Sequence, residues 1–151
     1  MIKVHNETLE KGLELYGGNA SIRLGFSASH HYAIAEVISP YIPMADFMEA
    51  FNLSLEMIEK HGITSFIFDK RSMNVFHQPS MEWYFVQWKP KARDLGVTQH
   101  YKIMPEEDWF LKCVEAGRES IAQNYPEDLL EGITITYTES VAEAVSLIRG
   151  V

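Results

Sequence analysis

Residues 133–148 read ITITYTESVAEAVSLI, and two periodicities stand back to back in them. Ile133, Ile135 and Tyr137 alternate with Thr134, Thr136 and Thr138, a period of two that predicts a strand with one apolar and one wet side. At Ser140 the period changes. Val141, Ala144, Val145 and Ile148 recur at helical spacing, and Ser140 with Glu143 makes the capping box that starts a helix. A strand feeding directly into a helix is half of a crossover unit, so the fold turns on how often that unit recurs upstream.

It recurs three times. PEEDW, residues 105–109, opens a helix with proline suited to the first position and three acids at the positive end of the dipole. VTQHYKIM, residues 97–104, reads as the strand before it, with Val97, Gln99, Tyr101 and Ile103 on one side. Further back, Met81, Tyr84, Phe85, Trp88, Ala92 and Leu95 trace a helical face that Pro90 must kink or end. ITSFIF, residues 63–68, is a short, nearly continuous apolar run, as expected of a central strand covered on both sides. Phe47, Phe51, Leu55 and Ile58 mark a helix starting near Pro43, and Gly62 is its stop signal.

SIRLGFS, residues 21–27, and YAIAEVI, residues 32–38, are two strands separated by a short polar loop, hence an antiparallel hairpin. Residues 1–20 are ambiguous between a strand and an arm. Ile2 and Val4 alternate, Leu9, Leu13 and Tyr16 suit a helix, and Gly17, Gly18 and Asn19 close the segment. The element order predicts a single α/β domain over residues 1–151, with a mixed sheet of about five strands and about four helices mainly on one face.

The 151 residues, 46% of them apolar, suffice for one sizeable core, and the net charge of −8 disfavours nucleic acid and anionic membrane as partners. Cys113 is the single cysteine and has no internal disulfide partner. No run resembles a signal peptide or approaches the ~18 apolar residues of a span, so a cytoplasmic protein without membrane insertion is expected.

This order, with ITSFIFDKR, PSMEW, PEEDW and the closing ITITYTESVAEAVSLI, resembles the STAS family, the SpoIIAA-like fold of anti-sigma-factor antagonists, over roughly residues 20–150. It resembles more closely the branch that shares features with CRAL-TRIO lipid-binding domains. The resemblance implies a regulatory module switched by phosphorylation of a serine at the start of the helix after the central strand. By position that residue is Ser80, with Ser72 as the second candidate. The family's phosphosite is an Asp-Ser pair soon followed by glycine, whereas Ser80 has Pro79, Met81 and Glu82 as neighbours.

The residues themselves offer simpler roles. Asp69, at the end of the central strand, could be a general base or metal ligand. Pairing with Lys70 or Arg71, or capping the next loop, explains it equally. Arg71 could hold an anion at the following helix start, and Ser80 could serve only as a cap. Asp69, His77 and His100 are the one conceivable acid-base set, with no motif linking them. His30 and His31 sit in a turn, and no metal site or cofactor is expected. Trp83, Trp88 and Trp109 are candidates for an apolar pocket or interface.

The resulting expectation is a non-catalytic regulatory or binding module with an unidentified protein partner, and with a homodimer formed through the sheet's open face or an edge strand as a further expectation. The alternative is a carrier for a small apolar ligand or lipid, and the third reading is a hydrolase. Carriage requires a large apolar cavity, regulation a filled core with an exposed apolar patch, and catalysis the convergence of Asp69, His77 and His100.

Overall fold

The computed structural model describes residues 13–150; the pattern in Ile2, Val4 and Leu9 lies outside them. Six strands form one sheet in sequence order: β1 (Glu14–Gly18), β2 (Ile22–Ser27), β3 (Tyr32–Val37), β4 (Ser65–Asp69), β5 (Gln99–Ile103) and β6 (Thr134–Thr138). The first three pair antiparallel and β3 through β6 pair parallel. The sheet is mixed, as expected, but has six strands rather than about five. The added strand is β1, whose Gly17 and Gly18 read as a closing turn in sequence. In the structure they carry the strand's end, with a register shift between Leu15 and Gly17. Gly18 has φ +137, and a Cβ there would stand 2.2 Å from the Ile22 carbonyl, so only glycine fits. β1 thereby covers the edge that the β2–β3 hairpin would otherwise expose.

Four helical segments accompany the sheet among the described residues. α1 (Met44–His61) ends on Gly62, whose left-handed φ of 62° lets its N–H reach the Ile58 carbonyl. The second segment runs through α2 (Gln78–Trp83), a π-turn (Tyr84–Trp88) and α3 (Lys89–Asp94). Pro90 does not end it. The π-turn widens the helix just before the proline, so the Lys89 N–H bonds the Tyr84 carbonyl five residues back and the missing proline donor is absorbed at the start of α3.

α4 (Asp108–Asn124) begins later than expected, with Glu107 at its cap and only Asp108 in the first turn. α5 (Val141–Arg149) starts as the sequence predicts, with Ser140 Oγ accepting from Glu143 N at 3.0 Å. Glu143 reaches back to the Glu139 N–H instead of that of Ser140. No helix among the described residues is long and apolar enough to cross a membrane.

Each parallel strand is added next to the last, and right-handed crossovers repeated in one direction put their helices on one face. α1, α2–α3 and α4 therefore share a layer. Phe47, Phe51, Tyr84, Trp88 and Phe110 from that layer pack on Leu24, Ala35, Phe66 and Phe68 of the sheet. α5 has no further strand to cross to and folds onto the opposite face, where Val141 and Ala144 cover Tyr32, Ile34, Ile67, Tyr101 and Ile103. The second face is thus less open than the threonine alternation suggests. In β6, Thr138 is buried and Tyr137 is 47% exposed, the reverse of the expected pattern. The inversion arises because α4 leans on α2 and leaves the Tyr137 end of β6 uncovered, while Ile135 on the same side still packs on the core and the turn into α5 covers Thr138.

Candidate functional site

Asp69 and Arg71 pair as the simpler reading has it. Arg71 Nη2 donates to Asp69 Oδ2 at 2.7 Å, and Arg71 Nε and backbone N donate to Oδ1 at 3.0 and 3.1 Å. Asp69 lies beside Glu36 across the β3–β4 register, and Glu36 in turn pairs with Arg23. The four side chains form a charge row at one end of the α5 face, the two carboxylates side by side and an arginine at either end. Burial raises the Glu36 carboxyl above its usual range against the pull of Arg23, and its Oε2 has no hydrogen-bond partner.

The conceivable hydrolase set does not assemble. Asp69 points to the α5 face, whereas His100 is on the helix-layer side of β5 between Phe66 and Trp88, at ring separations of 6.4 and 5.9 Å. His77 caps α2, its Nδ1 accepting from Ser80 N at 3.3 Å and lying 2.7 Å from Ser80 Oγ. The cap is therefore His77, and Ser80, three residues inside the helix, is buried. Ser72 is half-buried in the turn after Arg71.

The tryptophans separate by role. Trp88 is fully buried and its Nε1 donates to Phe51 O at 2.8 Å and Ser54 Oγ at 3.0 Å. Trp83 is half-buried edge-on to Phe47, and Trp109 is 46% exposed. Among the described residues no three His, Cys, Asp or Glu side chains gather as a metal would need.

The most unusual chemistry lies in residues the sequence did not single out. Lys70, Lys89 and Lys102 are all buried, and they come from the end of β4, the start of α3 and the middle of β5. Lys102 sits in one register row with Ala35, Phe68 and Tyr137, all facing the helix layer. The π-turn sets Tyr84 and Phe85 against that row. Lys89 Nζ lies 4.4 Å and Lys102 Nζ 4.3 Å from the centre of the Phe85 ring, and 5.2 and 5.0 Å from that of Tyr84. Lys70 Nζ lies 4.8 Å from the Phe68 ring. Arg118 of α4 closes the group from outside, 5.9 Å from the Phe85 ring and hydrogen-bonded to the Tyr137 hydroxyl.

No carboxylate pairs with the three amines among the described residues, and Lys89 Nζ has no acceptor at all. Cation–π contacts contribute about 0.5–2 kcal/mol each, less than the several kcal/mol that burying an unpaired ion costs. Burial therefore favours the neutral amine in all three. Burial, then the neighbouring Arg118 charge, lowers Lys70 to about 8. Burial drives Lys89 and Lys102 well below the ordinary lysine range, reinforced by like-charge repulsion within the group. His100 is lowered to about 2, by burial first and then by Lys89 and Lys102.

Two spaces adjoin this cluster. Lys70, Tyr84, His77 and Ser80 are the polar lining of an apolar crevice of about 50 Å³ between α1, α2 and α4, walled by Phe47, Phe68 and Phe110. On the other side Arg118 borders an open groove of about 570 Å³ between α4 and β6, lined by Met104, Leu111, Val114 and Tyr137. Comparison with models of known families, with curated proteins and with solved structures finds no match to this chain.

Proposed function

We propose that the chain is a non-catalytic binding module of the STAS-like type that docks a protein partner in the groove between α4 and β6. The observation that carries this is the pairing of a filled helix-layer core with exposed apolar groups at that groove. Leu111 and Tyr137 are 41% and 47% exposed there, beside Met104. Apolar side chains held open between a helix and an edge strand suit the anchors of a partner's amphipathic segment, rimmed by Arg71, Arg118, Glu106 and Glu115.

The crevice between α1, α2 and α4 supports a second reading, carriage of a small apolar ligand. At about 50 Å³ it is well below the ~300–1,000 Å³ typical of pockets for drug-sized ligands, so the docking reading is preferred. The test is affinity capture by the wild type and by Leu111→Glu from cells that express the protein, followed by measurement of the purified pair. A defined protein that binds the wild type directly and loses about tenfold or more in affinity with Leu111→Glu, the fold staying intact, is the expected result. Recovery of a bound apolar small molecule with no partner dependent on Leu111 would overturn the reading.

A further inference from the structure

We propose that Lys70, backed by the buried Lys89 and Lys102 and by Arg118, forms an oxyanion site built for the phosphate group of a small molecule and entered from the crevice between α1, α2 and α4, on the side of the cluster away from the protein-docking groove that Arg118 also borders. Four different elements deliver these cations to one place, and packing alone would be served better by leucine or methionine at each buried position. Three observations point to an anion as the ligand. Lys89 Nζ is completely buried and finds no acceptor, and the Tyr84 hydroxyl, also buried, finds no partner. Lys70 and Tyr84 both border the crevice of about 50 Å³. At about 10–15 Å³ for each water-sized position, that crevice has room for roughly three to five such positions, the footprint of a tetrahedral oxyanion.

The charge count selects the kind of anion. With all four groups protonated the site carries four positive charges and no internal carboxylate, so a dianion matches it better than a single carboxylate. Glu115 and Glu119 border the outer groove with Arg118 and are exposed, and no acid lines the crevice. Lys89 and Lys102 both lie against the Phe85 and Tyr84 rings. An anion on the Tyr84 hydroxyl and Lys70 would hold them protonated. His100 on β5 stays neutral behind the pair, and Tyr84 stays protonated because burial raises its pKa. Tyr137 on β6 flanks Lys102 in its register row, and Arg118 donates to its hydroxyl. The site is therefore a set of amines that takes up protons as it takes up its anion.

Calorimetric titration tests this, using inorganic phosphate, phenyl phosphate and acetate at about pH 7 in two buffers of different ionisation heat. The expected result is phosphate or phenyl phosphate binding with a heat that differs between buffers, showing proton uptake, and an affinity that falls as pH rises. Lys102→Met and Lys89→Met should each weaken it by about tenfold or more. Should either variant not fold, Arg118→Gln, on the groove side of the cluster, carries the same expectation. Tighter binding of phenyl phosphate would identify an ester whose body occupies the apolar crevice, and tighter inorganic phosphate would identify the free ion; both uphold the site. No binding above the effect of chloride at equal ionic strength, acetate binding as well as phosphate, or affinity unchanged in all three variants would overturn it. Leu111→Glu should leave phosphate binding intact, which separates this site from the docking groove.

Discussion

Replacing Lys70 with methionine removes a buried amine while keeping an apolar stem of similar length, and the consequence can be worked from its environment. The folded amine titrates near 8 against an ordinary 10.5. Between those values the unfolded chain binds more protons than the folded one, so the lysine's contribution to stability improves as pH rises. At neutral pH its burial costs roughly 3 kcal/mol by this linkage. The contact with Phe68 offsets about 0.5–2 kcal/mol of that, so Lys70→Met should be more stable than the wild type by about 1–2 kcal/mol at pH 7. At this chain length that is a rise of roughly 2–8 °C in Tm.

From about pH 8 to about pH 9.5 the wild type should gain stability, and the variant should gain roughly 1.5 kcal/mol less. The window stays below the ionisation of tyrosines in the unfolded chain, which would run the other way. Urea unfolding at the two pH values, in a buffer free of phosphate and sulfate, is the assay. Parallel pH profiles for the two proteins, or a variant less stable at pH 7, would refute the reasoning that Lys70 is held as a desolvated amine.

Trp88→Phe should lose about 2–4 kcal/mol, since it leaves a void and removes the donor shared by Phe51 O and Ser54 Oγ; a loss under about 1 kcal/mol in denaturant unfolding would contradict the packing. Ser80→Asp should cost about 1–3 kcal/mol, because it puts a charge into a buried position bonded to His77, while Ser72→Asp should change stability by about 0.5 kcal/mol; equal effects in thermal unfolding would remove the distinction. Self-association, proposed through the sheet's open face or an edge strand, predicts sedimentation at twice the 17.3 kDa chain mass at tens of micromolar, and a purely monomeric species would exclude it.

The parts of the fold that were legible are those where one local signal had one meaning. ITITYT with SVAEAVSLI yields β6 and α5 because strand period, cap and helix period follow without overlap, and Gly62 stops α1 because nothing but a left-handed cap suits it there. β1 was not legible: glycines that mark a turn also suit a bulge, and only the packing of Gly18 against Ile22 decides between them. Burial on β6 was misread because alternation says which residues share a face and is silent on which face a helix covers.

The lysine cluster was least visible. Lys70, Lys89 and Lys102 are far apart in sequence, and an isolated lysine reads as surface. A signal was present in YKI, where Lys102 occupies a strand position between residues buried on the opposite face, and in WKP, where Lys89 follows a core tryptophan at the wide turn. Asp69 and Arg71 were legible because their partners are two residues apart.

The sheet's strand order equals its chain order, and this governs how the molecule is assembled. No strand has to be threaded between two already paired, so from β2 onward each new strand meets a finished edge as synthesis proceeds, which shortens the search for long-range pairs. The α5 face is the exception to this vectorial growth. Until Val141–Arg149 arrives, Tyr32, Ile34, Ile67, Tyr101 and Ile103 form an uncovered apolar surface on an otherwise completed sheet. A chain truncated before Val141 is thus a nearly whole fold with one sticky side, a species for chaperones or proteases to recognise.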